Sequence, residues 1–192
     1  MSDKPESRAG EVEITILAES PAQFGAALSD LGEAKFGRRP GPDEWSALEV
    51  LRHVRASDLI VASRIWNWLT RPDGVHLGLD ERKYGDLLAR ADLSAADQIQ
   101  AFILRRRELV GLLSGLSSHE WTAPVWTDFG EVSILRLAGD MASHEQEHLG
   151  QLAAAVAALE TASPPWDENS PVFVSDLAGA MPALELRARD QA

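Results

Sequence analysis

The chain has no cysteine, a single tyrosine and no long apolar run. Without thiols there are no disulfides, no thiolate metal ligands and no cysteine nucleophile, so any metal must be held by nitrogen or oxygen. No stretch approaches the roughly 18 apolar residues that a membrane-spanning helix needs. Residues 1–13 are polar and charged, unlike a signal peptide, and a cytoplasmic location is the expectation. Positive charge is also scarce, with 18 basic residues against 30 acidic ones and a formal net charge of -12. Such a surface repels phosphate backbones and anionic lipid, which argues against nucleic-acid and membrane partners.

What remains is an ordinary globular composition, 45% apolar and 25% charged over 192 residues. That is enough chain for one domain with a real core. Residues 1–10 read as a leader. Residues 11–19 alternate Val12, Ile14 and Ile16, which suits a short extended piece or an extension of the first helix. Ser20-Pro21 reads as an N-cap with proline at the first helical position. Phe24, Ala27, Leu28 and Leu31 then follow at helical spacing, and Pro40-Gly41-Pro42 lies beyond the stop.

The second helix opens on a capping box, Ser46-Ala47-Leu48-Glu49, and should run to about Thr70. It is apolar on most faces, and Trp66 and Trp68 are expected in the core. Residues 71–93 read as a connection with a short helix near 82–90. Ser94 caps a third long helix bearing Phe102, Leu109 and Leu113. An aromatic loop over 117–131 carries Trp121, Trp126 and Phe129, with both tryptophans placed to overhang a site. A fourth long helix spans about 133–160, and Pro164-Pro165 opens a tail. The expected fold is therefore an all-α four-helix bundle over 19–160, with an irregular N-terminal segment at 1–18 and a C-terminal tail at 161–192.

One pattern on the fourth helix breaks the apolar rule. His144 and His148 interrupt the stripe from Leu137 and Met141 to Leu152. Four residues apart, they lie about 6 Å apart along the axis with roughly 40° of rotation, so both rings can meet one point. His53 is the same anomaly on the second helix, flanked by Val50, Ala56, Ser57 and Ile60. Three buried rings without partners would cost roughly 1–3 kcal/mol each, and a shared ion removes that cost. Neutral imidazoles suit zinc, nickel, iron or copper and leave coordination positions open for chemistry. The competing reading is that each histidine bonds a backbone carbonyl. His76 and His119 fall in loops and read as surface residues.

His144-Glu145-Gln146-Glu147-His148 also spells the H-E-x-x-H string of zinc peptidases, in which the glutamate is the general base. Two features oppose that reading. Ala154 stands where the extended motif needs a histidine, and no sheet is evident to bind a peptide. Glu145 and Glu147 flank the pair, and either could orient a ligand or move a proton. Asp140 and Gln151, one turn to either side of the pair, are candidate partners for the imidazole N–H groups.

The chain resembles the DinB-like (DinB/YfiT) superfamily of metal-binding four-helix bundles. Three segments carry the resemblance: Trp45-Ser46 followed by Leu51-Arg52-His53; Arg107-Glu108-Leu109 to Leu116 with Glu120-Trp121; and Phe129-Gly130 through Ser133, Leu135, His144 and His148 to Gln151. It covers roughly residues 20–160. The resemblance implies that His53, His144 and His148 bind one divalent ion, zinc or nickel first, then iron or manganese. It further implies a thiol-dependent S-transferase or isomerase, or a hydrolase, acting on a small molecule with a low-molecular-weight thiol as partner. A non-catalytic metal-stabilised binding domain is the alternative. Bundles of this kind pair through exposed helix faces, so a homodimer is expected.

Overall fold

A computed structural model describes residues 10–29, 31, 33–71, 79–91, 93–127 and 130–161. The leader before Gly10, His76, Phe129 and the tail beyond Thr161 lie outside the described residues. Four long helices make the bundle: α1 (Glu11–Ser29), α2 (Ala47–Thr70), α4 (Ala95–Ser114) and α6 (Ile134–Thr161). Between them come a 3-10 turn at Glu33–Lys35, α3 (Glu81–Arg90), α5 (Ser118–Trp121) and a hairpin of β1 (Pro124–Thr127) and β2 (Gly130–Ser133).

The helix starts follow from local chemistry. Ser46 Oγ accepts from Glu49 N–H at 3.3 Å, and Glu49 Oε2 accepts from Ser46 N–H at 2.8 Å, closing the capping box of α2. Ser94 caps α4 through Asp97 N–H, and Asp80 caps α3 through Lys83 N–H.

Three expectations are corrected. Residues 11–18 are not an irregular or extended piece but follow the alternative reading, an extension of the first helix. They form the first two turns of α1, whose Gly10 carbonyl accepts from Ile14 N–H. Pro21 therefore sits inside the helix instead of at its first position. Its missing N–H leaves the Leu17 carbonyl without the usual helical donor. Arg106 Nη1 supplies one instead, at 2.9 Å.

The aromatic loop is likewise partly regular. Trp121 ends α5 and is buried, and the next residues form an antiparallel hairpin that pairs Val125 with Val132 and Thr127 with Gly130. Gly130 has φ +107°, which favours glycine at that turn. Four-residue strands are too short to announce themselves by alternation. Finally, Trp66 is 47% exposed. The inward face of α2 is set by Val50, Val54, Asp58 and Ile65, and Trp66 lies about 100° round from Ile65. Trp68 packs half-buried against the core.

The core is two apolar clusters with a charged layer between them. One cluster holds Leu17, Ile65, Leu109, Ile134 and Met141; the other holds Phe24, Val50, Val54, Phe102 and Leu152. Along each long helix a polar residue separates the two: Ser20 on α1, Asp58 on α2, Arg106 on α4 and Glu145 on α6, all essentially fully buried. Arg106 donates to Asp58 Oδ1 from Nε at 3.1 Å and from Nη2 at 2.9 Å. It donates to Glu145 Oε2 from Nη1 at 2.9 Å and pairs closely with Glu145 Oε1. Ser20 Oγ also donates to Glu145. Burial pushes the Asp58 carboxyl above its usual range; Arg106 opposes the rise and the neighbouring Glu145 adds to it. One guanidinium thus ties four helices together.

Candidate metal centre

The structure brings all three sequence-flagged histidines together. His53 comes from α2, about one turn beyond the capping box, and His144 and His148 come from successive turns of α6. His53 Nε2 lies 3.0 Å from His144 Nε2, and His148 Nε2 lies 3.1 Å from the same atom. One ligand nitrogen from each ring fits within a 4.8 Å circle of mutual distances. All three rings are half-buried.

These spacings test whether an ion suits the site. At metal–nitrogen bonds of about 2.0–2.1 Å, ligand nitrogens stand roughly 2.9 Å apart at right angles and about 3.4 Å apart at a tetrahedral angle. The two observed distances fall between. Hydrogen bonding alone serves the cluster poorly. His144 Nε2 offers one proton or one lone pair in its ring plane, so it cannot make a well-directed bond to both neighbours at once. Three converging lone pairs around one cation satisfy all of them.

Surrounding groups orient the rings. Gln151 Oε1 stands 2.8 Å from His148 Nδ1, which assigns the proton to Nδ1 and leaves the Nε2 lone pair facing the other two rings. Trp45 packs across the cluster, stacked on His148 at 6.1 Å and edge-on to His53 at 5.0 Å. Its position follows from the cap. Glu49, which closes the box on Ser46, is also gripped by Arg39, whose guanidinium holds that carboxyl below its ordinary range. The turn just before α2 is thereby fixed, with Trp45 on it.

The other flagged residues divide. Glu145 points into the charged core layer, bound to Arg106 and Ser20. Glu147 and His119 are exposed. Asp140 pairs on the surface with Arg136, one turn back on α6. Trp121 belongs to the core and Trp126 is exposed on β1, so the indole set against the histidines is Trp45. The flanking residues Thr127 and Val132 of the hairpin nonetheless wall a groove beside His144.

The DinB superfamily family model matches residues 16–152. The chain belongs to the DinB superfamily. Among solved structures, this DinB protein is similar to YfiT from Bacillus subtilis, "a probable metal-dependent hydrolase with an unusual four-helix bundle topology". That likeness has a TM-score of 0.71 at 14% identity and covers 84% of this chain and 94% of YfiT, so it bears on the fold. No curated protein matches the sequence. The all-α four-helix bundle expected from the sequence is the fold observed. Two participants escaped the sequence reading, Trp45 as the ring over the histidines and Arg106 as the partner of Glu145. Arg106 did leave a trace, standing on the buried stripe of Phe102, Leu109 and Leu113 at helical spacing.

Proposed function

We propose that this DinB protein is a divalent-metal-dependent enzyme acting on a small organic molecule, with His53, His144 and His148 as the ligands. The observation that carries the proposal is the convergence of three Nε2 atoms from two helices. An ion there, zinc or nickel by its all-nitrogen donor set, would supply Lewis acidity that makes water or a thiol nucleophilic near neutral pH. Gln151 fixes the tautomer and angle of the His148 ring. Trp45 shields one side of the cluster from water. Substrate enters from the groove beside His144.

The placement of Glu145 bears on the type of reaction. The peptidase mechanism needs the glutamate of H-E-x-x-H as a base at the ion, and here it is committed to Arg106 in the core. A thiol, once ionised, attacks without a protein base beside it. This favours thiol-dependent S-transfer or isomerisation using a low-molecular-weight thiol. Metal-dependent hydrolysis is the second reading, supported by the words attached to YfiT. Calorimetric titration of the metal-loaded protein with a panel of low-molecular-weight thiols distinguishes them. Metal-dependent thiol binding supports the transferase. Turnover of ester or amide substrates with no thiol present would replace it with the hydrolase.

A further inference from the structure

Beside His144 lies a groove of about 280 Å³ walled by α2, α6 and both strands of the hairpin. Helix α2 contributes Ser57, Val61 and Arg64, one helical face that extends about 10 Å along the axis. Helix α6 contributes Leu137, Asp140, Met141 and His144, also one face. Because His53 meets His144, advancing along α2 matches retreating along α6. Ser57 thus lies toward the histidine end and Arg64 toward the Leu137 end. Val61, Val132, Leu137 and Met141 make the middle apolar.

The two flanks of the histidine cluster differ in charge. On the far side of Trp45 and Gln151 a second recess, of about 260 Å³, is lined by Asp43 and Glu44. The groove beside His144 carries Arg64 instead, and its acidic residue, Asp140, is neutralised by Arg136 at 2.8 Å. A chain with net charge -12 therefore presents a guanidinium in the groove that leads to its histidines.

We infer that this groove takes a small organic anion with an apolar body, its carboxylate-type end paired with Arg64 and its reactive end at the three histidines. The inference rests on the metal reading above. A guanidinium is charged at every working pH and carries five donors, more than one partner consumes, and a carboxylate takes two of them in parallel. Apolar walls shield that pair from the screening it would suffer in open solvent. Asp43 and Glu44 repel the same anionic end from the other flank, so the ligand has one favoured orientation. A cationic amine would meet Arg64 at one end and the ion at the other, and is disfavoured.

The test uses two probes that differ only at the far end, ω-mercaptohexanoate and ω-mercaptohexanol, titrated calorimetrically into the untagged metal-loaded protein. The carboxylate probe should bind about tenfold more tightly or better, as expected for one charge-assisted pair. Arg64→Gln and Arg64→Met should each abolish that preference, leaving the alcohol's affinity and the bound metal unchanged. Equal affinity of the two probes for the unmodified protein would overturn the inference, and so would a preference that survives both variants. If the ion is held and the probes bind equally, only the anion inference fails. If no ion is held and neither probe binds, the metal reading fails with it.

Discussion

Replacing Arg106 by Met keeps an unbranched apolar stem, shorter than that of arginine, and removes the charge and the donors. The structure says what that leaves behind. Asp58 and Glu145, both about 1% exposed, lose their guanidinium partner, and the Leu17 carbonyl above Pro21 loses the donor that stands in for the missing proline N–H. Breaking a buried pair by removing one partner costs about 3–5 kcal/mol, and here two carboxylates are affected: Glu145 keeps only Ser20 Oγ, and Asp58 only Arg105 Nε at 4.0 Å. Against a typical total of about 5–15 kcal/mol that is a large share, so Tm should fall by roughly 10 °C or more. Thermal unfolding followed by far-ultraviolet circular dichroism at pH 7 measures it. Exchanging the whole layer for apolar residues of similar volume should recover most of the loss, because the penalty lies in uncompensated charge. As an exposed control, Arg136→Ala should leave Tm essentially unchanged. A fall of under about 3 °C for Arg106→Met would refute the reasoning, since the charged layer would then contribute little to stability.

Three further outcomes follow from the same geometry. Gln151→Leu removes the acceptor at His148 Nδ1 and should weaken metal affinity by about 10–100-fold with little effect on Tm, read by competition with a chromophoric chelator. Asp58 has a folded pKa above its unfolded one, so stability from this group is full below the unfolded pKa and is lost as pH rises through the folded value. Asp58→Asn keeps an oxygen for Arg106, and its stability relative to the unmodified protein should therefore improve as pH rises, seen in urea unfolding across a pH series. Gly10 has φ +81°, and a Cβ there would run into the Trp121 ring; Gly10→Ala should cost about 1–3 kcal/mol in urea unfolding.

The histidine cluster was legible because its signal is a violation. Polar rings at four-residue spacing stand in an otherwise apolar stripe, and a third ring stands on the other well-patterned helix. The capping box at Ser46 and the N-cap at Ser94 were legible because they are literal local chemistry. What the sequence concealed depends on distant partners. Pro21 looks like a helix start, and the guanidinium of residue 106, arriving from α4, with a longer bond from Ser20 Oγ, replaces the donor it lacks in a helix interior. Arg106 itself is hidden within Arg105-Arg106-Arg107, where three consecutive arginines suggest solvent, yet only the middle one lies on the buried stripe. Glu145 reads as a base beside the histidines until that arginine is placed. Trp45 precedes its helix, so no periodicity assigns it a face; the cap below it does.

Three imidazoles are proposed to form one metal-binding point. Elemental analysis of untagged protein, dialysed and then measured by inductively coupled plasma mass spectrometry, tests it directly. One zinc or nickel ion per chain is the expected result, with the ion lost from His53→Ala, His144→Ala and His148→Ala while far-ultraviolet helicity persists. A protein that holds no stoichiometric divalent ion even after reloading, or one that keeps its ion when all three rings are removed, would contradict the account.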